Sequence, residues 1–414
     1  MKVWPLTPRG TGAVILGIAS FVLAHTFGVG ALLYFSVLLL AVVAVSVATL
    51  YLVRRTEQVT RSFLPDTAAA GGEVDVRARV SVRSPLPTTQ GRWKDRLPAG
   101  ITGDATGTFP AMASGLAAGA RVVDIAYRVR TERRGVRSIG PLEVTSTDPF
   151  GFARRRHLIG RAVPLTVAPA IVELGALSEL PGAAGGSMHS TTNELGQGSD
   201  NLIPRVYVPG DSMRRIHWRA SAHRDELMVR QEEQESTPEA IVVLDRSVHR
   251  WSSDALRAPG LDSAFETAVS ACASTIAKLV HEGYTVTAID VDGTGLVERI
   301  DAGDSFAVEA MTAAFATLTA RRDAGLDELV RLFAGTMTGP LVLITGTFTP
   351  EDAAALAPLA HHSTLPLLLA VGADQDALAH AAAHGWHAAS VHPEDDLADV
   401  WADVNDRGQS RVGA

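Results

Sequence analysis

Cysteine is almost absent from this chain of 414 residues, which contains only Cys272. A single cysteine cannot form an intramolecular disulfide and cannot supply the thiolates of a cysteine-based zinc site. The sequence therefore excludes a disulfide-stabilised fold and is compatible with a reducing compartment. The chain is longer than one hydrophobic core usually organises, so more than one domain is expected.

Positive charge is also scarce, since 37 lysines and arginines stand against 45 acidic residues and the formal net charge is -8. A protein that binds nucleic acid in general presents a basic surface over a whole face. We therefore expect no nucleic-acid partner, although local basic clusters are present.

The common catalytic motifs are missing as well. The glycine-rich stretch at residues 181–198 does not end in the Gly-Lys-Ser/Thr of a P-loop, and no Gly-x-Ser-x-Gly run occurs. His380 and His384 share a helical face, but the glutamate of a His-Glu-x-x-His zinc motif does not accompany them. The sequence therefore assigns no catalytic residue.

One long hydrophobic run is present, because residues 10–53 contain no Asp, Glu, Lys or Arg. A membrane-spanning helix needs about 20 such residues, so the run is long enough for two. A break at residues 28–30 predicts helices at residues 11–27 and 31–53, which would cross the lipid bilayer as a hairpin within a domain of residues 1–55. The alternative is a cleaved signal peptide, but the run is too long for its apolar region.

Basic residues flank both ends of this run. They are Lys2 and Arg9 before it, and Arg54, Arg55 and Arg61 after it. The positive-inside rule places such residues on the cytoplasmic side. We therefore expect a multi-pass protein of the cell membrane, with both termini and the soluble domains in the cytoplasm.

Residues 56–170 consist of short runs that alternate between apolar and polar residues and end at proline or glycine. This alternation predicts an antiparallel β-sandwich. Residues 131–140 are typical of a hairpin tip, and the DPFG run at residues 148–151 is typical of a structural turn. Residues 171–200 predict a flexible connector.

Two arginine clusters lie in this middle region. They are Arg133, Arg134 and Arg137 at the expected hairpin tip, and Arg154, Arg155 and Arg156 further along. Near an anionic membrane surface such residues can contact lipid headgroups. The alternative is that they are ordinary solvated loop residues.

Residues 240–414 alternate between strand-like apolar runs and helical patterns. This order predicts an α/β domain with a mostly parallel sheet covered on both faces. Ligands of such sheets bind at the carboxyl ends of the strands. The run AIVVLD ends there in Asp245, with Ser247 two residues on, so this position is a candidate site.

Residues 201–239 have the pattern of a strand, a turn, a helix and a second strand. A Pro-Gly turn at residues 209–210 follows the first strand, and Asp211 or Ser212 can cap a helix whose apolar face includes Ile216. The segment also carries four arginines that can form an anion-binding or partner-binding surface, namely Arg205, Arg214, Arg215 and Arg219. In the structural alternative, Asp211 pairs with an arginine, and Tyr207 and Trp218 pack against the sheet.

This segment resembles the signature of the bacterial family called domain of unknown function 58. The matching positions are Arg205, Tyr207, Pro209, Gly210, Asp211, Arg214, Ile216, Trp218, Ser221 and Ala222. The resemblance extends to the hairpin, the β-rich middle and the α/β half, so it covers nearly the whole chain. It implies a membrane-anchored protein with a von Willebrand A-like domain that works with a MoxR-type AAA+ ATPase, and it implies no established chemistry.

The resemblance also implies an incomplete metal site. Von Willebrand A domains bind a divalent cation through an Asp-x-Ser-x-Ser run, which Asp245 and Ser247 match, but His249 replaces the second serine. After the run PLVLIT, residues 345–347 offer Thr-Gly-Thr where an aspartate is usual. The sequence therefore predicts no cofactor, and the alternative is Mg²⁺ with Asp245 and Ser247 as its ligands. Without a metal, Asp245 caps neighbouring backbone or pairs with an arginine.

These observations together favour a membrane-anchored, non-enzymatic scaffold that binds protein partners, including a MoxR-type ATPase, in cell-envelope processes. One alternative is an enzyme that acts on a phosphorylated or envelope-precursor substrate through Asp245 and the arginine-rich segment. Another is an adhesion module that depends on a divalent cation.

Overall fold

The computed structural model describes residues 4–52, 56–83, 89–111, 121–177, 202–207, 213, 216–224, 226–232, 238–322 and 325–407. The chain divides into two compact units. The β-rich unit comprises residues 1–170, 254–262 and 312–319. The α/β unit comprises residues 171–253, 263–311 and 320–414.

Two apolar helices open the β-rich unit, α1 (Pro8–Phe27) and α2 (Gly30–Tyr51). The Thr7 side chain accepts the N–H of Gly10 at the start of α1, and Gly28 ends that helix with a φ of 71°. Both helices are long and apolar enough to cross a membrane. Two apolar helices were predicted for this region, and the structure places them at slightly different bounds.

The strands of the β-rich unit are short. They are β1 (Thr56–Leu64), β2 (Thr67–Ala69), β3 (Glu73–Arg83), β4 (Gly91–Asp95), β5 (Ile101–Thr102), β6 (Thr106–Phe109), β7 (Arg121–Thr131), β8 (Gly135–Ile139), β9 (Leu142–Thr147), β10 (Arg154–Ile159) and β11 (Val163–Ala168). Two four-stranded antiparallel sheets run in the orders β1-β3-β7-β5 and β10-β9-β4-β6, and a third sheet has the order β2-β11-β8. The antiparallel strands predicted for this region are confirmed.

Alternation along the strands builds the core of this unit. Every second residue of β3, from Val74 to Val82, is buried. One buried cluster combines Val80 of β3 with Trp93 of β4 and Val144 of β9, so it draws on both four-stranded sheets. Period-two burial of this kind is the expected result of the sequence pattern.

The predicted hairpin at residues 131–140 is wrong. Strand β7 pairs with β3 and β5, whereas β8 pairs with β11, so these residues connect two different sheets. The Thr131 hydroxyl donates to the carbonyl oxygens of Ala69 and Gly72, and Gly135 turns the chain with a φ of 126°. These long-range contacts outweigh the local turn pattern.

Arg134, in the same connection, is neither solvated nor able to face lipid. Its side chain is fully buried, and its guanidinium donates to the carbonyl oxygens of Phe315 and Leu318, the latter at 2.7 Å. Arg137 donates to the carbonyl oxygen of Pro259 at 2.9 Å. Both alternatives weighed for this cluster were therefore wrong for Arg134.

The α/β unit is built on a five-stranded parallel sheet. Its strands are β14 (Glu239–Leu244), β15 (Thr285–Ile289), β16 (Thr338–Thr345), β17 (Ser363–Val371) and β18 (His387–Val391), in the order β15-β14-β16-β17-β18. The helices that follow residue 260 are α4 (Ser263–His281), α5 (Ser305–Phe315), α6 (Leu326–Leu332), α7 (Pro350–Ala360), α8 (Gln375–Ala383) and α9 (Leu397–Arg407).

The central strands of this sheet are continuously apolar. Six consecutive residues of β16 and seven of β17 are buried, without alternation. Continuous burial is typical of strands that are covered on both faces. The predicted parallel sheet is confirmed, and with it the place where the carboxyl ends of the strands meet.

Candidate functional site

Three neighbouring strands of the parallel sheet end in polar residues. Asp245 follows β14, Asp290 follows β15, and Thr345 is the last residue of β16. Because parallel strands end at the same side of a sheet, these residues share one edge. We call this region, with the side chains that contact it, the carboxyl edge.

Asp245 is 1% exposed, and both of its carboxylate oxygens have partners. Oδ1 accepts the backbone N–H of Ser247 at 2.9 Å, and Oδ2 accepts the Thr345 hydroxyl at 2.9 Å. The Nε atom of Arg250 lies 3.5 Å from the same Oδ2. The structure thus brings the predicted pair Asp245 and Ser247 together and adds a positive charge.

Arg250 links Asp245 to the start of helix α7. Its two terminal nitrogens donate to the carboxylate of Asp352 at 2.6 and 2.7 Å, a bidentate pair. Burial opposes the charge on Arg250, but the hydrogen bonds and charge of Asp352 outweigh it and raise the pKa of the guanidinium. Burial also opposes ionisation of Asp352, yet Arg250 and the Thr349 backbone hold the pKa of that carboxyl below its ordinary value.

A second buried acid lies on the neighbouring strand. Asp290 is 0% exposed, its Oδ1 accepts the N–H of Val291 at 2.7 Å, and its Oδ2 lies 2.8 Å from Nε of Arg321. Burial raises the pKa of Asp290 above its ordinary value. Arg321 also pairs with Asp292, whose pKa is lowered to about 2 because the Thr294 backbone and Arg321 outweigh the opposing effect of burial.

Sequence reasoning missed most of the carboxyl edge. Asp290 could have been found, since the run TVTAID ends in an aspartate in the same way as AIVVLD. Arg250, Arg321 and Asp352 carry no comparable signal, because they reach the edge from loops and from the start of a helix. Only the fold reveals them.

The carboxyl edge is a poor match to a magnesium site. Among the residues that the structure describes, no group of three or more His, Cys, Asp or Glu side chains could hold a metal ion. His249, at the third position of the expected motif, is exposed. A cation at Asp245 would have to displace the guanidinium of Arg250.

The family-like segment forms a small substructure of its own. Strand β12 (Leu202–Val206) pairs antiparallel with β13 (Met228–Glu232), and helix α3 (Trp218–Arg224) lies between them in sequence. We call the described residues from 202 to 232 the signature unit. It belongs wholly to the α/β unit.

Buried contacts hold α3 to β13. Ile216 is buried and forms a bridge with Val229. The Ser221 hydroxyl accepts the N–H of Met228 at 2.8 Å and donates to the carbonyl oxygen of His217 at 3.1 Å. Ser221 and Ile216 therefore have structural roles.

The helix that was predicted to begin after Asp211 or Ser212 begins later in the structure, so that predicted start is wrong. Helix α3 begins at Trp218, and Ile216 lies in the bridge to β13 and not on a helical face. Pairing with a distant strand has overridden the local helical pattern. Several candidate positions lie outside the described residues, namely Pro209, Gly210, Asp211, Arg214 and Arg215, and the structure describes Arg205 only as backbone within β12.

Trp218 does not pack against the sheet, contrary to the structural alternative, because it is 70% exposed. Val206, Met213 and Leu227 are also exposed. The N–H of Tyr207 donates to the carbonyl oxygen of Leu227 at 2.7 Å, so Val206 and Leu227 lie close together. The signature unit thus exposes four large apolar side chains, which we call the apolar set.

Arg219 is exposed beside Trp218. Among the described residues, no hydrogen bond or ion pair joins Arg219 to Asp245.

Comparison with known proteins identifies the central part of the chain. Residues 204–305 match the family described as "Protein of unknown function DUF58". This range includes most of the signature unit and the strands that carry Asp245 and Asp290. The resemblance to this family is confirmed over these residues. No curated protein matches the chain.

Solved structures add little. The CARDB domain of a protein from Pyrococcus furiosus, solved with di-metal ions, is 8% identical and has a TM-score of 0.16, covering 26% of this chain and 94% of that one. A structural genomics target called SoR45 is 12% identical with a TM-score of 0.15, covering 30% of this chain and 95% of that one. Neither likeness supports a fold assignment.

Proposed function

We propose, for a chain that carries a DUF58 region at residues 204–305, the function of a membrane-anchored, non-enzymatic scaffold. Helices α1 and α2 cross the cell membrane as a hairpin, and the strands of the β-rich unit and the whole α/β unit lie in the cytoplasm. The signature unit binds a protein partner, a MoxR-type AAA+ ATPase. The observation that carries this proposal is the exposure of Trp218 within the DUF58 region.

The apolar set is suited to protein binding. Tryptophan is enriched among the residues that contribute most to protein interfaces, because it buries a large area at low cost in side-chain entropy. Exposed apolar side chains that lie together mark interaction sites, and Val206 and Leu227 of the set lie close together. Arg219 adds a cation beside Trp218, which favours a partner with an acidic surface.

A stable support holds these side chains. Ile216, Met228 and Val229 of the same substructure are buried, and Ser221 links the helix to the strand. A rigid support reduces the entropy lost on binding and so strengthens association. The arrangement supports a preformed surface.

The carboxyl edge, in contrast, supports a structural role for its acids. Asp245 and Asp290 are buried, and arginine side chains of the same unit neutralise them. A nucleophile or general base must contact substrate, whereas these carboxylates contact Arg250 and Arg321. Scaffolding is therefore favoured over catalysis at this edge.

The architecture expected from the family accompanies this proposal. A β-sandwich is supported by the buried cluster that draws on both four-stranded antiparallel sheets. A von Willebrand A-like fold is supported by the parallel sheet with Asp245 and Ser247 at its carboxyl edge. The cytoplasmic orientation is supported by the basic residues that flank the two helices.

Binding of the full-length chain to its cognate MoxR-type ATPase tests the proposal. The chain is reconstituted in nanodiscs, and the affinity is measured without nucleotide, with ADP and with a non-hydrolysable ATP analogue. Trp218→Ala is expected to weaken binding at least tenfold, the effect of removing an interface anchor. Phe306→Ala is the matched control, since Phe306 is 80% exposed in the same unit and lies just outside the matched range.

Two results would contradict the proposal. One is the absence of association in all three nucleotide states. The other is equal binding by the parent and Trp218→Ala, which would remove the signature unit from the interface.

A further inference from the structure

The DPFG turn lies against the first turn of α1. The N–H of Thr7 donates to the carbonyl oxygen of Phe152 at 2.9 Å, and the N–H of Arg154 donates to that of Pro5 at 2.8 Å. A Cβ atom on Gly10 would lie 2.0 Å from the carbonyl oxygen of Phe152, so only glycine permits this approach. The end of the DPFG turn and the start of α1 are therefore in direct contact.

The end of α2 meets the same stretch of chain. The Tyr51 hydroxyl donates to the carbonyl oxygen of Arg154 at 3.1 Å, and Arg155 donates to that of Leu50 at 2.7 Å. The Arg155 guanidinium also lies 5.5 Å from the centre of the Tyr51 ring. A cation at the carboxyl end of a helix is favourable, and so is a cation over an aromatic ring. Both helix ends are thus fixed to residues 152–155.

The turn holds an aromatic side chain in solvent. Asp148 is buried and accepts the N–H groups of Phe150 and Ala153 at 2.9 and 2.6 Å, which fixes the turn. Phe150 is 60% exposed and stacks on Phe152 at a ring separation of 6.4 Å. Asp148 therefore has a structural role in the turn. The turn does not require an aromatic side chain in solvent at Phe150.

The neighbours of Phe150 have the composition of a membrane interface. Trp4, Tyr51 and Leu52 are exposed at the same helix ends. Arg9 and Arg154 are exposed beside them. Aromatic and arginine side chains concentrate where membrane helices leave the hydrocarbon core, since one part of each is apolar and the other is polar.

We propose that the DPFG turn lies in the phospholipid headgroup region, with Phe150 inserted beside Trp4 and Tyr51 and with Arg9 and Arg154 on lipid phosphates. The β-rich unit is then seated on the membrane surface and not tethered at a distance from it. This inference rests on the proposed crossing of the membrane by α1 and α2. The chain around the DPFG turn is hydrogen-bonded to the start of α1, and both helices expose apolar side chains, which selects lipid as the occupant.

Depth-dependent fluorescence quenching in proteoliposomes tests the inference on the full chain. Phe150→Cys carries an environment-sensitive fluorophore, and the vesicles contain phosphatidylcholine and phosphatidylglycerol with a nitroxide on the headgroup or deep in the acyl chain. Cys272 is retained, because its thiol is fully buried and burial raises its pKa, so the maleimide does not label it. The unsubstituted chain serves as the labelling blank.

Two further labelled positions serve as references for the measurement. Leu38→Cys reports on the middle of α2, where the side chain is exposed. Val136→Cys is the distant control. Val136 pairs with Thr166 of β11, and Thr166 also pairs with Thr67 of β2, which follows the end of β1 at Leu64. Strand β1 begins at Thr56, shortly after helix α2 in the sequence, and its nine residues span about 30 Å.

The proposal predicts strong quenching of the Phe150 probe by the headgroup nitroxide, several-fold above that of the Val136 probe. It is overturned if the Phe150 and Val136 probes are quenched equally while the deep nitroxide quenches the Leu38 probe. If the Leu38 probe is not quenched either, the membrane crossing itself fails, and the inference fails with it.

A second measurement leaves Phe150 in place, in case the substitution disturbs the turn. The unsubstituted chain is irradiated in vesicles that contain phosphatidylglycerol with a photoactivatable group near its headgroup, and the adducts are located by mass spectrometry. Adducts within residues 149–154 support the proposal. Adducts confined to the two helices overturn it.

Discussion

At the carboxyl edge Asp245 and Asp290 are buried against arginines, whereas in the signature unit Trp218 and the other side chains of the apolar set are exposed to solvent. Both regions belong to the α/β unit, and the residues that match the DUF58 family model, 204–305, include both aspartates and most of the signature unit. The edge is where ligands of parallel sheets usually bind, yet its charges are satisfied within the unit. Under the proposed function, a protein partner therefore binds the signature unit and not the carboxyl edge.

The largest expected effect comes from removing a buried acid. Asp245→Ala removes the acceptor of the Ser247 N–H and the Thr345 hydroxyl and leaves Arg250 with one carboxylate. We expect a loss of about 3 kcal/mol in the free energy of unfolding of the parallel sheet. Urea-dependent hydrogen exchange of peptides that cover β14 and β16 measures it.

Glu239→Ala is the control for that comparison. Glu239 begins the strand that Asp245 follows, but its ion pair with Arg299 is exposed, and we expect a loss below about 0.5 kcal/mol. Similar losses for the two variants would remove the claim that the edge acids are structural.

A smaller effect is expected in the signature unit. Ser221→Ala leaves the N–H of the buried Met228 without its hydroxyl acceptor, which costs about 1 to 2 kcal/mol locally. Exchange of the α3 amides should accelerate, while that of β14 stays unchanged. Ser221→Thr keeps a hydroxyl and should restore slow exchange. Unchanged α3 exchange in Ser221→Ala would mean that this contact does not hold the helix.

The pH dependence of the free energy of unfolding tests the ion pair between Asp292 and Arg321. The pKa of Asp292 is lowered to about 2 in the folded chain, so its contribution to stability is present above the unfolded pKa and is lost as the pH falls toward 2. Asp292→Asn should therefore lose less stability than the parent between about pH 4 and pH 2, by about 1 kcal/mol after solvent screening. Parallel acid-unfolding curves would contradict the pairing with Arg321.

The smallest expected effect is that of Mg²⁺. Because Arg250 already supplies positive charge to Asp245, millimolar Mg²⁺ should leave the melting temperature unchanged in the parent and in Asp245→Ala. A ligand that binds the native state raises that temperature. A rise in the parent alone would show a cation at Asp245 and would favour the cation-dependent alternative.

The sequence predicted what depends on local pattern. The alternation of β3 and the apolar run before Asp245 were sufficient to place antiparallel strands and the carboxyl edge. It could not predict Arg250, which is 102 residues from its partner Asp352. Nor could it predict the exposed Trp218, because helical spacing indicates which residues share a face and not what covers that face.

The same limit explains the two corrected segments. Residues 131–140 have the composition of a hairpin, but Thr131 and Gly135 direct their strands to different partners. Ile216 has helical spacing, but it bridges Val229. In both cases contacts between distant residues decide against the local preference.

Hydrogen exchange of the nanodisc-bound chain with and without the MoxR-type ATPase tests the central claim most directly. We predict that the ATPase slows exchange in peptides covering residues 213–229 and leaves residues 244–252, at the carboxyl edge, unchanged. Protection confined to residues 244–252, or no protection of residues 213–229, would contradict the assignment of partner binding to the signature unit.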